Sequence, residues 1–170
     1  MSRTIFYRRP VQVKIEPNIG LDTNARQSVI DILNVILADE TLLFQKSQHA
    51  GGGEKDGANG AELHLLYDIQ CKQMHTITSD ITERIQILGG LPLHGSENFM
   101  DTARLGKDTG SIPGVVSILA DHEAFIRFLR EDARKCSEMY DDQGTYTLLI
   151  DVMRTHEKIA WVLRAKIASE

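Results

Sequence analysis

His64, Asp68, His75, Ser79 and Glu83 follow one another at steps of four, seven, four and four residues. At about 100° per residue of helix, all five share an arc of roughly 100°. Imidazole with carboxylates is a donor set for a first-row divalent cation such as Fe(II). One helix cannot close such a site, because His64 and Glu83 are 19 residues apart, about 28 Å along the axis at ~1.5 Å per residue. Pairing the helix antiparallel with a copy of itself removes the difficulty. The register that sets His64 level with Glu83 of the partner subunit also sets Asp68 level with Ser79 of the partner subunit, twice per dimer. On composition alone the stripe reads as a solvated face with two incidental histidines. The self-complementary spacing raises the metal reading, although any evenly spaced stripe offers some such register. His75 stands about 6 Å along the axis from Ser79 and about 12 Å from Glu83, in place for a second metal position or beside one. His49 lies where the first helix is expected to end. His122 and His156 sit in apolar stripes, and such histidines are more often satisfied core residues than ligands.

The element that carries the stripe is defined by its other face. Leu63, Tyr67, Met74, Ile77, Ile81, Ile85 and Leu88 recur at helical period, predicting a helix from about Ala61 to Leu88. Gly89-Gly90 ends it and Pro92 blocks continuation. Before it, a helix from about Thr23 to Lys46 carries two apolar stripes. One is Val29, Ile32, Ile36 and Leu43; the other is Ile30, Leu33, Leu37 and Phe44. A helix apolar over so much of its circumference is buried on more than one side, which points to a bundle that also oligomerises. His49 to Gly60 reads as a Gly-rich flexible linker. It lacks the preceding strand and the G-K-[S/T] of a phosphate loop. A connector with a short helical stretch near Ser96–Leu105 leads to a third helix, started by Ser111-Ile112-Pro113. The fourth runs from about Thr145 to Ala168, after a break at Asp141–Gly144. No segment alternates like a strand. The class is all-α: an arm, residues 1–22, and a four-helix bundle domain, residues 23–170, with a short helix in the long second crossover.

Composition narrows the partners. The chain has 170 residues and a net charge of −5, so binding duplex DNA over its whole surface is excluded for want of surplus Lys and Arg. The basic residues Arg3, Arg8, Arg9 and Lys14 gather in the arm, and they support DNA contact only weakly. A surface that attracts cations fits better. Cys71 and Cys136 are far apart, and both lie in apolar-periodic segments. They read as reduced core thiols of a cytoplasmic protein. No apolar run approaches the roughly 20 residues that cross a bilayer. The first residues contain no apolar core of a secretory signal.

Four blocks carry a family resemblance: L-A-D-E-T-L-L-F-Q-K-S at 37–47, E-L-H at 62–64, I-T-E-R-I-Q-I-L-G-G-L-P at 81–92 and T-H-E-K-I-A-W-V-L-R-A at 155–165. Together they resemble Dps-type mini-ferritins, over nearly the whole chain from Leu21 to Ala168. The resemblance implies a ferritin-like four-helix subunit with a long crossover, and a hollow homododecamer. It also implies oxidation of Fe(II) at dimer interfaces by hydrogen peroxide or oxygen, with ferric mineral stored inside. The family's site takes a histidine and an acid one turn on, which His64 and Asp68 match. From the partner it takes an aspartate and a glutamate four apart; Glu83 matches the glutamate, and Ser79 replaces the aspartate. The family's His-Trp pair near the end of the first helix is missing. His49 comes about two residues early, and the Trp is absent. His75 and His49 are the candidates to restore two nitrogen ligands, giving a histidine-richer site that also tolerates zinc. Asp142 and Asp151 match acids that line the family's three-fold iron-uptake pores, and Thr147 stands where a third is common. Helix N-terminal acids favoured by the dipole would also explain Asp141 and Asp142. The competing function is a cage that binds metal or protects DNA without efficient ferroxidase activity.

Overall fold

Five α-helices and no strand are present among the residues described, 15–53, 58–106 and 111–169, in the computed structural model. They are α1 Thr23–Gly53, α2 Ala58–Ile87, α3 Ser96–Thr102, α4 Val115–Glu138 and α5 Gln143–Ala168. The four long helices form a bundle in which α1 packs on α2 and α4 on α5. Further contacts run from α1 to α3 and α4, and from α2 to α5. The short α3 lies in the connection between α2 and α4, as expected. Arg3, Arg8 and Arg9 lie outside the described residues, so the DNA expectation placed on them is not addressed by the fold.

Most of both apolar stripes of α1 is buried inside the one chain. Val29, Leu33, Ile36 and Leu43 are fully buried, and Ile30 and Leu37 nearly so. Ile32 and Phe44, one from each stripe, are only half-buried in the single chain. Asp39, fully buried, draws the crossover down over α1. It accepts from the Arg104 and Leu105 amides at 2.6 and 3.1 Å and from Arg104 Nε at 2.8 Å. Arg104 also donates to Asp132 at 2.7 Å and lies over the Phe128 ring.

Helix boundaries differ from the sequence reading where tertiary packing intervenes. The first helix continues past Lys46, through His49, to Gly53. Each internal glycine costs a helix about 1 kcal/mol relative to alanine. Burial of Ala50 with Leu63, Tyr67, Ile118, Ile159 and Leu163 offsets that cost. At the far end of α2, Gly89 adopts φ +86°, and the Gly90 amide reaches back to the Ile85 carbonyl at 2.9 Å. This is the glycine-ended helix the sequence predicts. The third helix starts at Val115, later than expected, with Gly114 as an extended N-cap. Pro113 thus precedes the helix and does not enter its first turn.

Candidate metal centre

The five residues of the α2 stripe are all exposed, on the face away from the buried Met74, Ile81 and Ile85. His64 is the anchored member. Its Nδ1 lies 2.7 Å from the Gly51 carbonyl. A carbonyl can only accept, so Nδ1 carries the hydrogen and Nε2 keeps its lone pair for a cation. Asp68, one turn on, accepts from Lys72 Nζ at 2.7 Å. That hydrogen bond and the Lys72 charge hold its carboxyl below the ordinary aspartate range, with a smaller contribution from His64. Asp68 is therefore ionised at neutral pH. The Lys72 head is 74% exposed, and an exposed pair of this kind is weak because water screens it. A divalent cation can displace it.

The rest of the stripe is held less tightly. Ser79 donates to the backbone carbonyl of His75 at 3.2 Å, so its hydroxyl is occupied locally, where an aspartate would project a charge. Glu83 lies near the far end of α2 from His64. Among the described residues of one chain, no group of three or more His, Cys, Asp or Glu side chains converges to hold a metal ion. One chain therefore presents His64 and Asp68 as half of a donor set. Leu65 and Ile69, beside these two on the helix surface, are 60% and 50% exposed. These two apolar side chains border the half-site.

His49 is exposed on α1. It stands two residues before Gly51, about 200° around the helix, and the Cβ direction of Gly51 points at Tyr67 of α2. His49 is thus on the side of α1 turned away from His64 of the same chain. The helical extension through 53 causes this, where the sequence reading expects a loop.

Asp142 and Asp151 have different surroundings. Asp142 is 2% exposed and caps α5, accepting from the Thr145 amide at 2.9 Å and its hydroxyl at 2.6 Å. Arg84 Nη2 pairs with it at 2.7 Å. Its charge is paired inside the subunit. Asp151 is exposed, and it shares a shallow cleft between α2 and α5 with Asp80, Thr76 and Thr155.

His122 and His156 are fully buried, as core histidines should be, but the sequence reading missed their partner. Their Nδ1 atoms lie 2.9 Å apart. His156 Nε2 approaches Glu40 Oε2 of α1 to 3.0 Å, with neither side chain exposed. That approach lacks hydrogen-bond alignment, so Glu40 and both Nε2 atoms are left without a hydrogen-bond partner. Burial, then the His156 charge, pushes the His122 imidazole well below its usual range. The cysteines are free. Burial raises Cys71 to about 11 and Cys136 to about 12, with neighbouring aspartates adding to both, so both thiols stay protonated at neutral pH. No helix among the described residues is long and apolar enough to cross a membrane.

The ferritin-like domain family matches residues 30–169. This chain belongs to that family, with Dps proteins among its homologues by sequence and structure. By sequence it is 35% identical to the low temperature-induced protein all0458 of Nostoc sp., over 90% of this chain and 87% of that one. It is 28% identical to DNA protection during starvation protein 2 of Bacillus anthracis, over 82% of this chain and 96% of that one. Among solved structures, DpsC from Streptomyces coelicolor superposes with a TM-score of 0.84 at 26% identity, covering 94% and 96% of the two chains.

Proposed function

We propose that this chain forms a hollow homo-oligomer that binds Fe(II) between subunits, oxidises it and stores the ferric product. The observation that carries the reading is exposed His64, held by Gly51 through Nδ1 so that Nε2 keeps its lone pair, one turn from an ionised Asp68, on a face bordered by exposed Leu65 and Ile69. Glu83 of the partner subunit supplies the second carboxylate, and His75 supplies nitrogen where Ser79 has replaced an acid. Fe(II) is the substrate. Two Fe(II) ions give the two electrons that cleave the O–O bond of one hydrogen peroxide, yielding two hydroxides and two Fe(III). The carboxylates offset the growing positive charge, and the imidazoles set the geometry. With one aspartate fewer, the site holds Fe(III) less firmly and accepts Zn(II), which suits imidazole. The relatives named for DNA protection during starvation fit this chemistry, since consuming Fe(II) and peroxide together spares DNA. The direct test is the rise of ferric absorbance when anaerobic protein loaded with Fe(II) receives peroxide or oxygen. Sizing by light scattering accompanies it. A stable monomer, or absorbance growth no faster than in buffer, would overturn the reading.

Asp151 is the acid we assign to iron uptake. An exposed carboxylate repeated around a symmetry axis concentrates negative potential in a narrow opening. Asp151→Asn should slow iron uptake and flatten its dependence on ionic strength, and leave the shell intact. Asp142→Asn should act differently, lowering stability by loosening the α5 cap and the Arg84 pair. Uptake kinetics at low and high salt, set beside thermal melts, separate the two.

A further inference from the structure

Gly51 approaches α2 more closely than any other residue type allows. A Cβ built there would lie 2.9 Å from Tyr67 Cβ and 3.6 Å from Tyr67 Cγ. Tyr67 is 2% exposed, and its Cβ is fixed to the α2 backbone, so the contact cannot be relieved by swinging a side chain. This closeness is what brings the Gly51 carbonyl to 2.7 Å from His64 Nδ1, since His64 is one turn before Tyr67. The carbonyl lies on α1, in the turn that closes against α2. The negative end of the helix dipole lies there as well.

We infer that Gly51 is a positioning residue for the metal site, holding His64 in the tautomer whose Nε2 is free to bind a cation. The inference rests on the reading of His64 as a ligand. A carbonyl on Nδ1–H fixes the ring plane, excludes Nδ1 as the ligating atom and makes Nε2 more basic. The helical extension of α1 through His49 and Ala50 is thereby part of the site. Without it, the glycine run would be a linker and His64 would turn freely. The neighbouring glycine provides a matched control: a Cβ at Gly52 meets nothing within 4 Å.

The experiment is Co(II) titration of the intact protein, followed by visible ligand-field absorption, with Gly51→Ala, Gly52→Ala and His64→Ala. Gly51→Ala should bind Co(II) about 10- to 100-fold more weakly, with an altered spectrum, and Gly52→Ala should match the parent. Equal weakening in both glycine variants would overturn the inference, because it would show general loosening of the turn. Unchanged affinity in Gly51→Ala with a loss in His64→Ala would also overturn it, and would leave the ligand reading standing. Unchanged affinity in His64→Ala would remove both. A second measurement does not depend on either glycine variant folding. Proton NMR of the Co(II) form of the parent protein should show a strongly shifted, slowly exchanging Nδ1–H signal that His64→Ala removes. Its absence from the parent protein would refute the inference.

Discussion

His64→Ala is expected to abolish rapid Fe(II) oxidation, lowering the initial rate by about 100-fold or more. Losing an outer-shell partner of a ligand already costs about 10- to 100-fold, and here the ligand itself is removed. The shell should assemble as before, because His64 is exposed on a face that the subunit core does not use. Its hydrogen bond to the Gly51 carbonyl can be replaced by one from water. Asp68→Asn should be less severe. It removes a charge and keeps an oxygen, and it frees Lys72, which would then stand as a cation beside the site. His75→Ala discriminates within the site. If His75 supplies the nitrogen that offsets Ser79, Co(II) and Zn(II) occupancy should fall in that variant too. The reverse substitution, Ser79→Asp, should raise affinity for Fe(III) by restoring a carboxylate. Stopped-flow absorbance with limiting peroxide measures the rates for His64→Ala and Asp68→Asn, and metal titration by calorimetry measures affinity for His75→Ala and Ser79→Asp. A His64→Ala protein that oxidises Fe(II) at the parental rate would place the chemistry elsewhere.

How much of this is legible in the sequence depends on the range of the interaction. The four long helices are, because a period of 3.6 residues survives in Leu63–Leu88 and in Leu149–Ile167 without any tertiary information. The exposed placement of His64, Asp68, His75, Ser79 and Glu83 follows from the same periodicity, as the complement of the apolar face. The fixed tautomer of His64 does not, since a backbone carbonyl 13 residues away has no side chain to announce it. The one available signal was Gly51, and the reading of the glycine run as a linker concealed it. The surroundings of Asp142 are hidden for a related reason. An acid at a helix start is legible as a cap, but its burial depends on Arg84 of α2, 58 residues distant in sequence. Glu40 is the largest omission. In the run L-A-D-E it looks like a surface acid, and only the meeting of α1 with α5 makes it a core residue.

Glu40 is also where the largest loss of stability is expected. Its carboxylate and the rings of His122 and His156 come from α1, α4 and α5, and all three side chains are fully buried. A carboxyl group removed from water is costly unless a polar group stands beside it, and His156 Nε2, 3.0 Å from Glu40 Oε2, is the group that does. Glu40→Ala removes that polar neighbour, opens a cavity and leaves His156 facing apolar surroundings. Breaking a buried pair from one side costs about 3–5 kcal/mol. For a domain of this size each kcal/mol corresponds to about 2–4 °C, so a clear fall in melting temperature should result. Glu40→Gln keeps the volume and one acceptor, and should cost less. The same cluster sets an acid limit. His122 has a folded-state pKa below its unfolded value of about 6.5, because burial opposes its charged form. The stability it contributes is complete above that value, and is lost as the pH falls from there toward the folded pKa, since the unfolded chain takes up a proton that buried His122 refuses. Urea midpoints measured from about pH 7.5 down to about pH 5 should therefore decline, and the decline should flatten in His122→Asn. A midpoint for Glu40→Ala equal to that of the parent protein would show that the carboxyl group is not the polar partner of His156.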